Sequence, residues 1–386
     1  MLALVAACVA VAWPDASTVV PRNGGHPTGD PVWARVFLVC AGAATVAYAA
    51  GVWLLSRHGA SLRVVAVLAV AIQFAPLAAP LLLSTDAWTY WAYGRVAAVH
   101  GESPYERPPE DFPDDPALPW MGADWRDRTS AYGPAFTLAS VPVALVAGRS
   151  EEVAAWTFKL LAAAAMTAAA LLAARLAERK TLALALAGWN PVLAVHAAGG
   201  GHNDAWVGAL VLAALALAAS GRRRLAGAAW ALAALVKWVP LVFLVLRGLE
   251  ARAAGRRVSH AGFAVTAVLV AGAATVLWGL GWLGALGPLA ENVAQETSYA
   301  LPARLGLPGW VGVAAFALAF LWLARQALAG RARLGLAAVL LLLTTPYLTP
   351  WYLAWTVPLA AAEEDRTARV LAVALSLYLV PQTIPA

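Results

Sequence analysis

The chain has 386 residues, of which 62% are hydrophobic and 12% are charged, and its mean hydropathy is +0.71. A soluble domain does not need so much apolar sequence, so the composition excludes a soluble protein. The net charge of +6 does not indicate nucleic-acid binding, because the basic residues lie in short loops between apolar runs. We therefore expect an integral membrane protein with no nucleic-acid partner.

Near the amino terminus, Met1 to Trp13 is apolar and has no basic segment. We interpret it as a first, shortened membrane helix; a cleaved signal sequence is the alternative. The two cysteines, Cys8 and Cys40, lie within apolar segments at no metal-binding spacing, which favours inert packing residues.

Long apolar runs then recur along nearly the whole chain. Residues 32–55, 64–83, 153–174 and 262–283 are each long enough to cross hydrocarbon as a helix, which takes about 20 residues. The runs lack the alternation that a membrane β-barrel shows. This pattern predicts an all-α, polytopic transmembrane bundle of roughly 11 to 13 membrane helices, in which residues 1–386 form a single unit.

The basic loops predict the orientation of the chain, since loops rich in Lys and Arg face the cytoplasm. The remaining loops then lie outside, and one of them, residues 84–131, carries nine acidic residues against four arginines. We expect a multi-pass plasma-membrane protein whose active site is extracytoplasmic. The loops taken as cytoplasmic contain Arg57 and Arg63 and span 175–180, 222–224, 247–257, 325–333 and 366–369.

Asp86 follows a run without charges, residues 64–85. A carboxylate costs several kcal/mol in hydrocarbon, so an acid at this boundary is solvated, paired or used in chemistry. The simplest alternative to a catalytic role is an acid that marks the end of a membrane helix.

The residues after Asp86 favour a sugar site. In a helix, Asp86, Tyr90 and Tyr93 share one face at i, i+4 and i+7, which places an acid beside two phenols. Sugar hydroxyls bond carboxylates, and their apolar ring faces stack on aromatic rings. Arg95 joins this face only if the helix ends near Gly94. An interfacial aromatic belt with a structural arginine is the alternative.

The loop 84–131 and its return to the membrane contain turn residues and aromatic anchors. Tyr105 lies in a Ser-Pro-Tyr sequence and Tyr132 in a Tyr-Gly-Pro sequence, and Pro and Gly fix turns. A disordered loop needs no such anchors, so we expect an ordered cap over a cavity and place both tyrosines beside a binding groove.

Two regions do not fit a simple count of crossings. Residues 132–148 and 153–174 together must bring the chain from outside to inside, so one of them is expected to re-enter or to lie in the interface. Residues 225–246 have basic loops at both ends and contain Lys237 and Pro240 near their middle. A helix broken there returns to its own side, which places Lys237 nearer the inner half of the membrane.

Three glycines precede His202, Asn203 and Asp204 in a turn on the same side as Asp86. Either Asn203 or Asp204 simply caps the following helix, or the turn binds a phosphate, because glycines admit a ligand and a helix start favours an anion.

Lys237 lies within an apolar segment and is a functional candidate for that reason, unless its side chain only reaches to the interface. Trp351 and Tyr352 follow a turn on the outer side. They line a lipid or sugar groove, or they belong to an aromatic belt.

Together these motifs resemble one family. They are similar to the motifs of GT-C polyprenyl-phosphate-sugar glycosyltransferases. The similar features are an outer Asp after a membrane helix, the Tyr-Gly-Arg, Ser-Pro-Tyr and Tyr-Gly-Pro loop, the Gly-Gly-x-His-Asn-Asp turn and the Lys-Trp-x-Pro break. The resemblance spans about residues 83–355 and is greatest to actinobacterial polyprenol-phosphomannose-dependent α-mannosyltransferases. One departure is a single acid at Asp86 where many GT-C enzymes have a pair.

The resemblance implies transfer of a sugar, mannose first, from a polyprenyl-phosphate donor to a lipid or glycolipid acceptor, with inversion. Asp86 would be the general base, and His202, Arg95 and Lys237 would stabilise the leaving phosphate, in that order. Tyr90, Tyr93, Asn203 and Asp204 would complete the donor site. No cofactor or metal is expected. A lipid or sugar transporter and a non-catalytic scaffold are the alternatives.

Overall fold

The computed structural model describes residues 1–22, 28–256, 260–285, 287 and 295–386. It is 71% helical and has no strand among these residues, which confirms the all-α class. In chain order the main helices are α1 Leu2–Val11, α2 Pro31–His58, α3 Leu62–Phe74, α4 Asp86–Ala98, α5 Pro134–Ala147, α6 Glu151–Leu176, α7 Lys180–Gly188, α8 Asp204–Ala219, α9 Arg223–Val236, α10 Pro240–Ala253, α11 Ala261–Trp278, α12 Gly309–Leu328, α13 Leu334–Thr344, α14 Leu353–Ala362 and α15 Arg366–Leu379.

Four of these helices, α2, α6, α11 and α12, are long and apolar enough to cross a membrane. Shorter apolar helices, among them α5, α8 and α13, pack around them. α11 and α12 leave most of their surface uncovered, as helices that face lipid do, whereas half of the apolar window of α6 is buried. The chain is therefore a helical membrane bundle with α6 near its centre, and the number of crossings stays a prediction.

The predicted cytoplasmic connectors meet at one end of the bundle. The Arg179 side chain donates to the backbone oxygen of Ser56, and its backbone N–H donates to Glu364. Arg175 donates to Ser220. These bonds join the ends of α2, α6, α8 and α14, so the basic loops that they involve share one side, as expected. Arg257, at the end of the predicted 247–257 loop, lies outside the described residues.

The region 132–174 contains one short helix and one long helix. α5 has only 14 residues and lies beside α4, because Tyr90 packs on Phe136 and the Arg95 side chain donates to the backbone oxygen of Gly148. α6 has 26 residues, enough to cross. This arrangement favours α5 as the segment that does not cross and α6 as the one that does.

The predicted break in 225–246 is present, but the predicted depth of Lys237 is wrong. α9 ends at Val236, Lys237 is extended (φ −156°, ψ 144°), and Pro240 begins α10. Since α8 and α9 form a hairpin, Lys237 returns to the level of Asp204 and is paired with it. Lys237 therefore lies at the end of the bundle away from the basic loops.

At the amino terminus, α1 is a helix of ten residues. Both Cys8 and Cys40 are free thiols; Cys8 is buried and Cys40 is partly buried.

Candidate active site

Asp86 begins α4, at the end of a fixed segment. The Ser84 hydroxyl accepts from the Asp86 N–H (3.2 Å). Leu83 has a left-handed backbone (φ 60°), which costs a non-glycine residue about 1–2 kcal/mol, and its N–H donates to the backbone oxygen of Val19. The Leu82 N–H donates to the backbone oxygen of Gly199. The segment before the acid is thus bonded directly to the glycine turn.

Lys159 fixes the start of the same segment. It is 1% exposed, and its ammonium donates to the backbone oxygens of Ala79 and Pro80. Two carbonyl oxygens satisfy part of this buried charge, as buried cations require. The lysine of α6 therefore holds the chain that leads to Asp86.

The Asp86 carboxylate has one engaged oxygen and one open oxygen. Tyr90 donates to Oδ2 (3.2 Å), and Nδ1 of His202 lies 3.1 Å from the same oxygen, although its angle is poor for a hydrogen bond. Among the described residues no hydrogen bond reaches Oδ1. The Ser84 hydroxyl lies close enough to the carboxylate to help lower its pKa, and the Asp86 side chain is 20% exposed. Asp86 therefore keeps an acceptor oxygen for a group from outside.

His202 is held by stacking as well as by the turn. Its ring lies 3.9 Å from the Trp351 ring at an interplanar angle of 11°, and the side chain is 1% exposed. Gly201 has φ +68°, and a Cβ there would meet Ala87 and Phe158 at 3.2 Å. A side chain at that position would be both strained and crowded, so the glycine lets the turn pass close under α4.

Asp204 is a buried ion-pair partner, not a simple helix cap. The N-cap residue of α8, Asn203, makes no capping bond with its side chain. The Asp204 carboxylate accepts from the Lys237 ammonium (2.8 and 3.0 Å) and from the Trp355 indole N–H (3.0 Å). The amide nitrogen of Asn203 is buried without a partner in the described structure, while its oxygen lies 3.5 Å from the Tyr90 hydroxyl.

Lys237 joins the site from the break between α9 and α10. Its ammonium lies 4.8 Å from the centre of the Tyr352 ring, and its side chain is 21% exposed. The Gly133 N–H donates to the backbone oxygen of Val236, and a Cβ at Gly133 would lie 2.1 Å from the backbone oxygen of Leu235. The return of the 84–131 loop is therefore pressed against this break.

The predicted aromatic residues divide into two groups. Tyr90 and Tyr132 meet edge to face (5.0 Å between ring centres) beside Asp86. Tyr93 instead turns its hydroxyl to the backbone oxygen of Arg128 (3.0 Å). Tyr105 is buried, and its hydroxyl donates to Thr137 (2.8 Å). The structure does not bring the Tyr93 hydroxyl to the acid, and the prediction of Tyr105 as a groove wall is wrong, because it is packed inside the protein.

Arg95 does not join the site, contrary to its predicted role. α4 continues past Gly94 to Ala98, so Arg95 faces away from Asp86. Its Nε donates to both oxygens of Asp115 (2.8 and 2.9 Å), and His100 lies 2.6 Å from the same carboxylate. This group of three residues, which we call the loop latch, ties the 84–131 loop to α4.

The charged groups around Asp86 and Asp115 shift the pKa of these two carboxyl groups. Burial raises the pKa of Asp86, but the neighbouring His202 and Lys237 outweigh it and hold that pKa below its usual range. Burial likewise raises the pKa of Asp115, and the bonds from Arg95 and the Ala117 N–H lower it further than burial raises it. Both carboxylates are therefore ionised at neutral pH.

Sequence reasoning placed Trp355 in the outer-side aromatic turn with Trp351 but missed its bond to Asp204. It also missed Asp115 as the partner of Arg95. Trp355 lies four residues after Trp351, so helical spacing puts both on one face of α14 and its preceding turn. Asp115 had no signal beyond its acidic loop. Within the described part of the chain, no three His, Cys, Asp or Glu residues cluster closely enough to hold a metal.

Two family models match this chain. One, described as "Alpha-(1->6)-mannopyranosyltransferase, N-terminal domain", matches residues 1–253. The other, described as "Glycosyltransferase family 87", matches residues 131–381. The chain belongs to both families. This membership confirms the resemblance to actinobacterial GT-C mannosyltransferases.

Two curated relatives carry the name Alpha-(1->6)-mannopyranosyltransferase A. The protein of Mycobacterium tuberculosis (strain ATCC 25618 / H37Rv) is 28% identical over 340 aligned positions, which cover 77% of this chain and 65% of that protein. The protein of Corynebacterium glutamicum is 29% identical over 149 positions, 38% of this chain and 30% of that protein. This chain thus spans less than two thirds of the length of either relative. No solved structure matches it.

Proposed function

We propose that the chain is an inverting mannosyltransferase that moves mannose from a polyprenyl-phosphate donor to a hydroxyl of a lipid or glycolipid acceptor, on the extracytoplasmic face of the plasma membrane. Membership of glycosyltransferase family 87 supports sugar transfer over transport. The names of the relatives support mannose as the sugar and α-(1→6) as the linkage.

The open Oδ1 of Asp86 is the observation that carries this proposal. A general base needs an ionised acceptor atom within hydrogen-bond reach of the proton that it removes. Asp86 is ionised, its Oδ2 is engaged by Tyr90 and lies beside His202, and its Oδ1 is open. The fixed oxygen orients the carboxylate, and the open oxygen is left for the acceptor hydroxyl.

The chemistry balances with residues of this chain. The acceptor oxygen attacks the anomeric carbon of mannose, its proton passes to Asp86, and the bond from that carbon to the phosphate oxygen breaks. The configuration inverts, since the attack is in line with departure. The leaving polyprenyl phosphate gains one negative charge.

Lys237 and His202 are the groups that stabilise this charge. An ammonium has three donors, and Asp204 and the Tyr352 ring fix where the Lys237 ammonium lies. Positioned cations at a developing charge are usually a large part of catalysis. Lys237, and not Arg95, is therefore the residue that stabilises the leaving phosphate together with His202.

The test is transfer by the purified protein from synthetic polyprenyl-phosphomannose compared with nucleotide-linked mannose, with no other enzyme present. We expect product from the lipid-linked donor alone, with an α-linked mannose by NMR. Product from the nucleotide sugar and none from the lipid-linked donor would overturn the proposal. A β-linked product would overturn the proposed α linkage.

A further inference from the structure

Gly133 lies against the end of α9, where the helix stops before Lys237. Its N–H donates to the backbone oxygen of Val236 (3.1 Å), the last residue of α9. A Cβ at Gly133 would lie 2.1 Å from the backbone oxygen of Leu235 and 2.6 Å from its carbonyl carbon. Cβ atoms do not approach other atoms closer than 3.0 Å, so this contact requires a residue without a side chain.

The contact, and not the backbone conformation, requires glycine at this position. Gly133 has φ −66° and ψ 157°, an extended conformation that alanine adopts without strain and that a residue before proline prefers. The atoms in the way belong to the main chain of Leu235, so no change of side-chain rotamer relieves the overlap. Leu235 and Val236 are buried, and close packing transmits a displacement there to neighbouring atoms.

Tyr132, the residue before Gly133, connects the contact to the proposed base. Its ring meets the Tyr90 ring edge to face (5.0 Å between ring centres), and Tyr90 donates to Oδ2 of Asp86 (3.2 Å). The Tyr132 N–H donates to the Ser130 hydroxyl (3.3 Å), and the Ser130 N–H donates to a backbone oxygen within the same loop (2.8 Å). The return of the loop is therefore fixed on the side of Asp86.

The break that carries the cation lies on the other side of the contact. Lys237 follows Val236 directly, and its ammonium is paired with Asp204. The loop return beside the base and the break with the cation thus meet at Gly133, main chain against main chain. A displacement of about 1 Å at this point would change the distance between the two groups, and a misplacement of that size can lower a rate about 10²-fold.

We propose that Gly133 is a positioning residue: its lack of a side chain sets how far the Lys237 ammonium lies from Asp86, the proposed base. Because the loop return is fixed beside Asp86, a side chain at position 133 would displace the break and Lys237 with it. The proposal rests on the proposed function, since it assigns the geometry of that same site. Gly133 acts through Lys237 and not by contact with a substrate.

Gly133→Ala tests the proposal against a matched substitution on the same helix. Gly262→Ala places a Cβ 1.8 Å from the backbone oxygen of Arg224, in the first turn of α9, so the two variants press on the main chain of α9 at its opposite ends. We expect both to lower the unfolding temperature, but only Gly133→Ala to lower kcat, by about tenfold. An unchanged kcat in folded Gly133→Ala, or an equal fall in both variants, overturns the proposal.

A second pair of variants tests the same contact without adding an atom, so it does not depend on whether Gly133→Ala folds. Val236→Gly frees the main chain that carries the contact, whereas Val236→Ala removes nearly the same side chain and keeps the helix end firm. We expect kcat to fall about fivefold in Val236→Gly and to stay within about twofold in Val236→Ala. Equal values of kcat in the two variants would contradict a positioning role.

Coupling to Lys237 separates positioning from a purely structural effect. Substitutions that act through the same group are non-additive in a double-mutant cycle. In a Lys237→Gln background the cation is already lost, so Gly133→Ala should lower kcat further by less than about twofold. A fall as large in that background as in the wild-type background refutes positioning through Lys237.

Amide hydrogen exchange separates failure of this proposal from failure of the proposed function, because it needs no substrate. Gly133→Ala should speed exchange at residues 235–239, and Gly262→Ala should speed exchange at residues 223–227 instead. Transfer by the wild type with an unchanged kcat in Gly133→Ala refutes the positioning role and leaves the function standing. Faster exchange at residues 235–239 in Gly133→Ala, without transfer by the wild type from any donor, supports the placement of Lys237 by Gly133 and refutes the function.

Discussion

Asp86 and Asp115 are both carboxylates near a histidine, yet their surroundings differ in one respect. In the loop latch, Asp115 accepts from Arg95 through both oxygens, from the Ala117 N–H and from His100, and its side chain is 7% exposed. Asp86 has contacts on one oxygen only and is 20% exposed. A carboxylate that is saturated, with hydrogen bonds to both oxygens, has no acceptor atom left for a substrate. A half-saturated carboxylate, with contacts on one oxygen, keeps the other oxygen free for a substrate. This difference supports a structural role for Asp115 and the proposed catalytic role for Asp86, which residue type alone does not distinguish.

The largest expected effect on rate comes from the half-saturated acid. Asp86→Asn keeps the shape of the side chain but cannot accept the proton, so kcat should fall by about 10² or more. Steady-state transfer from polyprenyl-phosphomannose measures it, with the thermal unfolding temperature as the check on folding. A well-folded Asp86→Asn protein with near wild-type kcat would show that Asp86 is not the base.

Next in size is the loss of the cation. Lys237→Gln removes the charge at the leaving phosphate and should lower kcat about 30-fold, less than the roughly 10²–10³ that the loss of one positioned donor costs, because His202 remains at the site. It also strands the buried Asp204 carboxylate, which destabilises the fold. The double variant Lys237→Gln/Asp204→Asn separates these effects: we expect it to recover stability but not kcat. Recovery of both stability and kcat would show that the Lys237–Asp204 ion pair has only a structural role.

A smaller effect is expected at the orienting phenol. Tyr90→Phe removes the donor to Oδ2 of Asp86 and keeps the ring contacts with Tyr132 and Phe136. The loss of one hydrogen bond to a charged group is worth about 1.5–3 kcal/mol at most, and His202 still lies beside the oxygen, so kcat should fall about fivefold. Tyr93→Phe serves as the control and should stay within twofold of wild type.

The saturated acid should affect stability and not rate. Asp115→Asn breaks a buried ion pair, so the free energy of unfolding should fall by about 3 kcal/mol while kcat per folded molecule stays within twofold. Chemical denaturation followed by tryptophan fluorescence measures the first quantity. A large fall in kcat with unchanged stability would reverse the assignments of the two acids.

The pH dependence of the loop latch has a definite sign. Because the folded pKa of Asp115 is lowered, its carboxylate stabilises the fold above the unfolded pKa of about 3.9, and that stabilisation is lost as pH falls through the folded value. In a His100→Gln background, which removes the titration of the imidazole, the unfolding temperatures with and without the further change Asp115→Asn are compared. The gap between the two unfolding temperatures should hold from about pH 7 to pH 5, begin to narrow near pH 4 and close as pH falls through the lower folded pKa. A gap that does not change with pH would contradict the charged pair.

The sequence was sufficient for the class of fold, the break at Lys237 and the proximity of Asp86 and His202, because hydropathy, proline position and motif order are local signals. The sequence was not sufficient to predict which side chains form ion pairs and hydrogen bonds with each other. Arg95 lies nine residues from Asp86 and bonds Asp115, while Asp204 bonds Trp355, 151 residues away. Such pairs depend on how helices pack. The depth of Lys237 was missed for the same reason, since the α8–α9 hairpin sets it.

The segment from Ala79 to Asp86 has a further consequence. Lys159 holds its start, Gly199 accepts from its middle, and Leu83 stays left-handed against its own preference. The proposed base and His202 are therefore preorganised: the free energy of folding, and not substrate binding, holds them in place. In enzymes that align their groups with remote binding energy, a truncated substrate loses kcat. Here a donor with a shortened lipid should bind more weakly yet react, once bound, at nearly the full rate.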